Sequence, residues 1–422
     1  MAIISISDSQ KNGADQVLVA DSNSKIPAID GSQITILNAT NVSAGTIANA
    51  RLDTGTTANK LIVLDGSGNL PAIDASQLTG IVSATISASD PTLSTNPSGG
   101  VGTEWNNSTS GEMFICTDAT AGANIWTNVG AGTGDVAPYT YQGTVEGYCC
   151  GRSNAPTNII QKYSFTTDGN ATDVADMVSG INGAGCTHSN TVGYIVGGGS
   201  SGRRNIEKFT FASGGNSVAM SALLLANVAF GATACTKDYG YHMGGQYPAV
   251  SNVIQKWSQT ADTDSVDVGD LLSTKGRNPG GSDIGGGYGY SAGGYPDSNV
   301  IERFSFSSDG NSADVGDLSV ARGGAGASSL THGYVLGGYS GDNDRIDKYA
   351  FASSGNGVNI GNLTVAGYWG SGTSSTNHGY MCGGDSRLTT IDKTAFASDG
   401  NSTDVGDPVG STTNTGSCGL NF

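Results

Sequence analysis

One short glycine-rich phrase recurs six times and restricts this chain more than any other feature. Versions of Gly333-Tyr334-Val335-Leu336-Gly337-Gly338 begin at Gly147, Gly193, Gly240, Gly289, Gly333 and Gly379. Their tyrosines, at 148, 194, 241, 290, 334 and 380, lie 46, 47, 49, 44 and 46 residues apart. A period of roughly 40 to 50 residues, built from short apolar runs and glycine-rich turns, is that of a β-propeller blade. Six copies therefore predict six blades, and function must be sought in what differs between them.

The copy from Ala321 to Leu363 shows the unit best. Gly324 to Ser329 is a strand of small residues, suited to a crowded central axis. The phrase itself is a second strand, apolar on both faces as a sheet packed between two neighbours requires. Arg345 to Phe351 is a third, with Tyr349 and Phe351 on one face, and the pair recurs as Tyr163/Phe165, Phe209/Phe211 and Phe304/Phe306. Val358 to Leu363 is a fourth. A small-residue strand precedes blades two to six and appears once more at the C-terminus, Thr415 to Phe422. That last strand is expected to serve as the inner strand of blade one and to lock the ring, with Pro138 to Gln142 as a lead-in able to compete for the slot.

The whole pattern is similar to the kelch repeat: a Gly-Gly pair closes the second strand and an aromatic residue follows in the third. It departs from kelch at the fourth strand, where a tryptophan is expected and this chain has Asp314-Val315-Gly316-Asp317-Leu318 or its variants. The resemblance implies blade architecture and no kelch partner.

Ahead of the repeats, Leu18 to Thr35 parallels Ile62 to Thr79 at an offset of 44 residues. Between them, Asn38 to Leu52 spaces its apolar residues at about five, which suits neither a helix face nor a free sheet. Such a segment is either disordered or completes its core with other copies of itself, and the regular apolar residues favour assembly. Leu70-Pro71-Ala72-Ile73-Asp74-Ala75-Ser76-Gln77-Leu78-Thr79 and Asn38-Ala39-Thr40-Asn41-Val42-Ser43-Ala44-Gly45-Thr46-Ile47 resemble the stalk repeats of bacteriophage tail-fibre proteins. That resemblance implies a homotrimer attached to the virion through its N-terminal part, among other tail or baseplate proteins.

The expected organisation is all-β: an extended, intertwined shaft at 1–87, a small β module at 88–130, a hinge at 131–137 and a six-bladed kelch-like β-propeller at 138–422. The module reads as three strands, around Gly102 to Trp105, Gly111 to Asp118 and Asn124 to Val129, with Trp105 and Trp126 as its core rather than a sugar site. It resembles a module found in phage fibres between shaft and tip.

The net charge of −17 argues against a nucleic-acid or anionic-membrane surface, which needs clustered Lys and Arg. No stretch is apolar enough for membrane insertion and Met1 to Asp8 lacks the pattern of a signal peptide, so folding in a host cytoplasm before assembly into the virion tail is expected. Seven cysteines lack metal-ligand spacing and mostly hold apolar repeat positions, which predicts structural free thiols. His188, His242, His332 and His378 do not assemble into a catalytic set: His332 and His378 share a turn position and His242 sits within a strand. Asp168-Gly169-Asn170, Asp309-Gly310-Asn311 and Asp399-Gly400-Asn401, with the aspartates after them, could hold calcium. Blade two has Ala219 and Ala222, and blade five Asn359 and Asn362, where the later carboxylates should stand, so hairpin turns are preferred. No enzyme, metal or cofactor is expected.

Binding is expected on the face carrying the second-to-third and fourth-to-first connections, because its loops break the repeat. The candidates are Arg203, Arg204, Tyr247, Arg277, Tyr295, Arg322, Tyr339, Tyr368, Trp369 and Arg387, aromatic and arginine side chains of the kind that stack on and hydrogen-bond sugars. The expected function is a tail fibre that recognises a host-surface glycan. A purely structural baseplate, neck or capsid-decorating protein and a glycan-degrading spike are the alternatives. Deleting the last eight residues should lower the melting temperature of the whole repeat domain; near-native melting would refute the assignment of the C-terminal strand.

Overall fold

In a computed structural model the described residues are 84–130, 136–151, 157–199, 203–225, 229–246, 249–339, 343–384, 389–409 and 419–422. Residues 1–83, expected to form most of the shaft, and 131–135 of the expected hinge lie outside them. Among the described residues the chain is all-β, 28 strands in seven four-stranded sheets.

The first sheet is the small module. Glu104–Asn107, Met113–Asp118 and Ile125–Asn128 pair antiparallel, as the sequence suggests. A fourth strand, Thr85–Ser87, pairs parallel with Glu104–Asn107. The module therefore begins ahead of residue 88 and takes in three residues that were assigned to the shaft. Three residues are too few to carry a strand period, so only the pairing reveals them. Phe114, Cys116 and Trp126 form the core, and Trp105 packs edge-on to Trp126 with ring centroids 5.8 Å apart.

The other six sheets follow the repeat. Sheet one is Glu146–Cys150, Thr157–Ser164 and Thr172–Ile181, and sheet two is Gly185–His188, Val192–Val196, Asn205–Thr210 and Val218–Ala222. Sheet three is Ala232–Cys235, Tyr239–Met243, Val253–Ser258 and Val266–Asp270. Gly280–Asp283, Tyr288–Gly294, Ser298–Ser305 and Ala313–Asp317 make sheet four. Sheet five is Gly323–Ser328, His332–Tyr339, Asn343–Ala350 and Val358–Asn362, and sheet six is Ser371–Ser374, His378–Cys382, Ile391–Ala395 and Thr403–Asp404. The first strand of sheet one comes from the far end of the chain: Gly419–Asn421 pairs with Glu146–Cys150, Leu420 opposite Tyr148. Pro138 to Gln142 does not take that slot.

Each sheet has its first strand against those of the neighbouring sheets, and Gly419–Asn421 lies against both Ser371–Ser374 and Gly185–His188. One position explains how close they come. Cys186, Thr233, Gly280, Gly326, Gly372 and Gly419 hold the same place in the six first strands, each opposite the residue after the repeated tyrosine. A Cβ added at Gly280, Gly326, Gly372 or Gly419 would fall 2.0–2.2 Å from the carbonyl oxygen of the equivalent residue in the preceding sheet. At these four glycines backbone thus lies on backbone, and no side chain fits.

The recurring Gly-Tyr has a similar cause. At Gly147, Gly193, Gly240, Gly289, Gly333 and Gly379 a Cβ would crowd an aromatic ring on, or just past the end of, the third strand of the same sheet. The tyrosine that follows reaches a third-strand ring of the next sheet: Tyr148 meets Phe209 and Phe211, Tyr241 meets Phe304 and Phe306, and Tyr290 meets Tyr349 and Phe351. Tyr334 stacks on Phe396, Tyr194 packs with Trp257, and Tyr380 stacks on Phe165 of sheet one at 5.0 Å.

Polar seams repeat as faithfully. Third strands carry Ile160-Gln161, Ile206-Glu207, Ile254-Gln255, Ile301-Glu302, Ile346-Asp347 and Ile391-Asp392, and in five of these a register shift falls at or within the pair. The bulge lets both neighbours turn inward. Each buried amide or carboxylate then accepts a hydrogen bond from a backbone N–H of the preceding sheet: Val178 to Glu207 at 3.0 Å, Leu225 to Gln255 at 3.0 Å, Leu272 to Glu302 at 2.8 Å, Ser319 to Asp347 at 2.8 Å, Thr364 to Asp392 at 2.9 Å and Val409 to Gln161 at 2.6 Å. The last joins sheet six to sheet one in the manner of the other five.

The Asp-Gly-Asn turns belong to these seams. Asn170, Asn311 and Asn401 accept from the backbone N–H of Asp407, Asp270 and Asn362, at 3.0 Å each. Asp168, Asp309 and Asp399 pair with Lys393, Lys256 and Lys348 of the adjoining sheet. Among the described residues no cluster of three metal-ligating side chains occurs. Cys116, Cys149, Cys150, Cys235 and Cys382 are free and buried, but Cys186 is disulfide-bonded, which corrects the free-thiol expectation there.

Tyr139, Tyr141 and Gln142 run across the far ends of the first strands. The Tyr141 carbonyl accepts from His188 Nε2 at 3.0 Å and Asn421 Nδ2 at 2.8 Å; Gln142 Nε2 donates to the Ser328 carbonyl at 2.8 Å, and the Tyr139 hydroxyl to that of His188 at 3.0 Å. Burial lowers the His188 and His242 pKa values to about 4. His242 is buried within its strand, as expected of a packing residue.

Gly326→Ala should cost several kcal/mol, because its Cβ would meet backbone at 2.2 Å that cannot move aside alone. Gly355→Ala, with nothing within 4 Å, should change stability by no more than about 0.5 kcal/mol. Chemical denaturation of both variants checks this; equal effects would contradict the close contact.

Candidate functional site

The first strands all run the same way, from the end opposite the 138–142 segment towards it. Phe230, Arg277 and Trp369 stand three residues ahead of Thr233, Gly280 and Gly372, hence at the starting end. From Trp369 to Ser374, where the far end begins, an extended chain covers about 16 Å. All three have positive φ, 58°, 57° and 62°. Left-handed backbone at bulky residues costs on the order of 1–3 kcal/mol each and persists only where surrounding structure enforces it. Two of them are held by backbone pairing, Phe230 N–H donating to the Gly183 carbonyl at 2.6 Å and Arg277 N–H to that of Phe230.

These three residues meet side chains from the second-to-third connections. The Arg277 guanidinium lies 4.5 Å from the Tyr339 ring centroid, 4.6 Å from Trp369, 5.3 Å from Tyr295 and 5.8 Å from Phe230. Its Nε donates to Gln246 Oε1 at 2.7 Å, which fixes the plane of the group. Tyr339 and Trp369 are parallel within 4° at 6.2 Å, and Tyr368 stands edge-on to both. Tyr295 and Tyr339 remain 38% and 36% exposed, so the cluster presents ring surface to solvent. Below it a cavity of about 60 Å³ descends between Gly280, Gly326 and Gly372 to Tyr141. Trp369 Nε1 and Asn278 Oδ1, both lining residues' atoms, are buried without a hydrogen-bond partner.

Five of the residues proposed from sequence are therefore brought together: Arg277, Tyr295, Tyr339, Tyr368 and Trp369. Tyr247 and Arg387 lie outside the described residues. Arg203 and Arg204 stand apart from the cluster. Arg203 pairs with the buried Glu207 and also donates to Ser179 Oγ at 2.5 Å, while Arg204 Nε donates to the Leu223 carbonyl.

Arg322 must be corrected. It is wholly buried, paired with Asp347 at 2.9 Å and donating through Nε to the Gly337 carbonyl at 2.8 Å. The reason is the third-strand acid: Glu207, Glu302 and Asp347 each draw in a cation from a nearby loop, respectively Arg203, Lys275 and Arg322. Burial disfavours the charged Arg322 and Lys275, and the facing carboxylate opposes that effect.

Sequence reasoning missed Phe230 and Gln246. Phe230 becomes visible once the repeats are aligned on the first-strand glycine, since it then falls in register with Arg277 and Trp369. Gln246 carries no comparable signal. Arg322→Leu should destabilise the protein by about 3–5 kcal/mol, because it strands Asp347 as a buried unpaired charge. A denaturant midpoint near that of the unaltered protein would contradict this. No protein-family model matches the chain, and no curated protein matches it either.

Proposed function

We propose that the six sheets form a closed six-bladed kelch-like β-propeller, and that the chain is a bacteriophage tail-fibre protein that binds a host-surface carbohydrate through the Arg277 face. Support for closure comes from the seam between sheets six and one, which repeats the stacking, ion pair and hydrogen bonds of the others. Support for binding comes from one observation above all: loops of four sheets converge to place Arg277 among Tyr295, Tyr339 and Trp369. Flat aromatic surface beside a fixed hydrogen-bond donor suits the apolar face and hydroxyl rim of a sugar ring.

The placement of the ends fits this role. Tyr139 to Gln142 is anchored at the end of the first strands opposite the aromatic cluster, so the chain ahead of the sheets enters away from the binding face. Phage attachment through the N-terminal part and a homotrimeric shaft remain part of the proposal, supported by the stalk-like repeats and the evenly spaced apolar residues of 38–52. Binding without cleavage is supported by the side chains of the cluster. None of Gln246, Phe230, Arg277, Tyr295, Tyr339, Tyr368 and Trp369 is a carboxylate, the group that glycoside hydrolysis uses in pairs.

Retention of the purified chain on immobilised bacterial surface polysaccharides tests the reading. Trp369→Ala and Tyr339→Ala should each weaken binding about tenfold or more while the melting temperature holds. Release of reducing sugar, or binding indifferent to both substitutions, would overturn it.

A further inference from the structure

We propose that the sugar recognised at this face carries a carboxylate, and that Arg277 reads it. The inference rests on the carbohydrate-binding reading and adds the chemical class of the ligand. Its first ground is charge. Three other cations near these loops, Arg203, Lys275 and Arg322, are each neutralised by an acid of their own sheet. Among the described residues Arg277 has no such partner; its protein hydrogen bond is the neutral one from Nε to Gln246, which leaves both terminal nitrogens to donate. A guanidinium presents paired donors in the geometry that a carboxylate accepts. In a chain of net charge −17, a cation held without an acid at a surface of aromatic rings is a selective feature for an anion.

The second ground is shape. The cavity beside Arg277, about 60 Å³, holds a few water molecules or one ring substituent and is too small for a sugar ring. A ring stacked on Tyr339 can lie outside while its acidic substituent meets the guanidinium at the opening. The third ground is the pair of buried groups without partners, Trp369 Nε1 and Asn278 Oδ1. Asn278 is 4% exposed, and its Nδ2 is already committed to Met243 and Ser291. Both groups belong to residues that line the cavity, and a substituent entering it would need an acceptor for the one and a donor for the other. A buried donor or acceptor left unpaired is costly, and a ligand that paired it would recover that cost.

The experiment uses the full chain and a panel of acidic polysaccharides: alginate, polygalacturonate, hyaluronan and polysialate, each paired with its carboxyl-reduced form. Neutral polysaccharides complete the panel, and affinity is read by calorimetry or by quenching of tryptophan fluorescence. The proposal expects at least one acidic polymer to bind, to lose tenfold or more in affinity on carboxyl reduction, and to be bound equally weakly in both forms by Arg277→Gln. Thermal melting of that variant confirms that it folds. Binding unchanged by carboxyl reduction, or confined to neutral polymers, overturns the inference and leaves the carbohydrate reading standing. Retention of no polysaccharide of either kind overturns both.

Discussion

At four of the six places where neighbouring first strands meet, backbone lies directly on backbone, and the rest of the repeat domain is arranged around that contact. Glycine at 280, 326, 372 and 419 is required because a methyl group would fall within about 2 Å of a neighbouring carbonyl oxygen. Sheets drawn that close at one edge must splay towards the other, and the widening gap between them needs progressively larger side chains. The chain supplies them in order: small residues in the first strands, tyrosine in the second, and paired aromatics in the third. The same contact sets the separation of the loops at the starting ends of the first strands. Phe230, Arg277 and Trp369 are held there in backbone conformations that none of them would adopt alone.

A buried polar group at every seam is the second device. Gln161, Glu207, Gln255, Glu302, Asp347 and Asp392 each tie a third strand to the backbone of the preceding sheet. Apolar packing alone tolerates sliding, whereas an N–H that loses a buried acceptor is left unsatisfied at a cost of about 1–3 kcal/mol. The seams therefore fix the register of one sheet on the next. Where the buried group is an acid, a loop cation often completes it, and this sets Arg203, Lys275 and Arg322 apart from Arg277, which among the described residues has Gln246 and no acid as its hydrogen-bond partner.

Much of this was legible in the residues. The period of the Gly-Tyr phrase predicted six units and their strand order, and the lone small-residue strand at the C-terminus predicted its pairing with Glu146–Cys150. Loops that break the repeat predicted five members of the aromatic cluster. What escaped was information carried by neighbours rather than by sequence position. Arg322 reads as a loop arginine until Asp347 is seen opposite it, and the Ile-acid doublets read as ordinary alternation until the bulge turns both residues inward. Thr85–Ser87 is invisible because a parallel pairing across about 20 residues leaves no local pattern. Phe230 was hidden by an alignment anchored on the second strand, one step removed from the loop that matters.

The central claim is that the seam between sheets six and one is equivalent to the others among the described residues. Native-state amide hydrogen exchange measures this residue by residue. The N–H groups of Val409, Asp407 and Ala171, which bridge sheet six and sheet one, should be protected to the same degree as those of Leu272, Ser319 and Thr364 at other seams. Exchange at Val409, Asp407 and Ala171 that is orders of magnitude faster, with the other three still protected, would contradict the account: the sheets would form an open row, and the convergence of loops around Arg277 would lose its foundation.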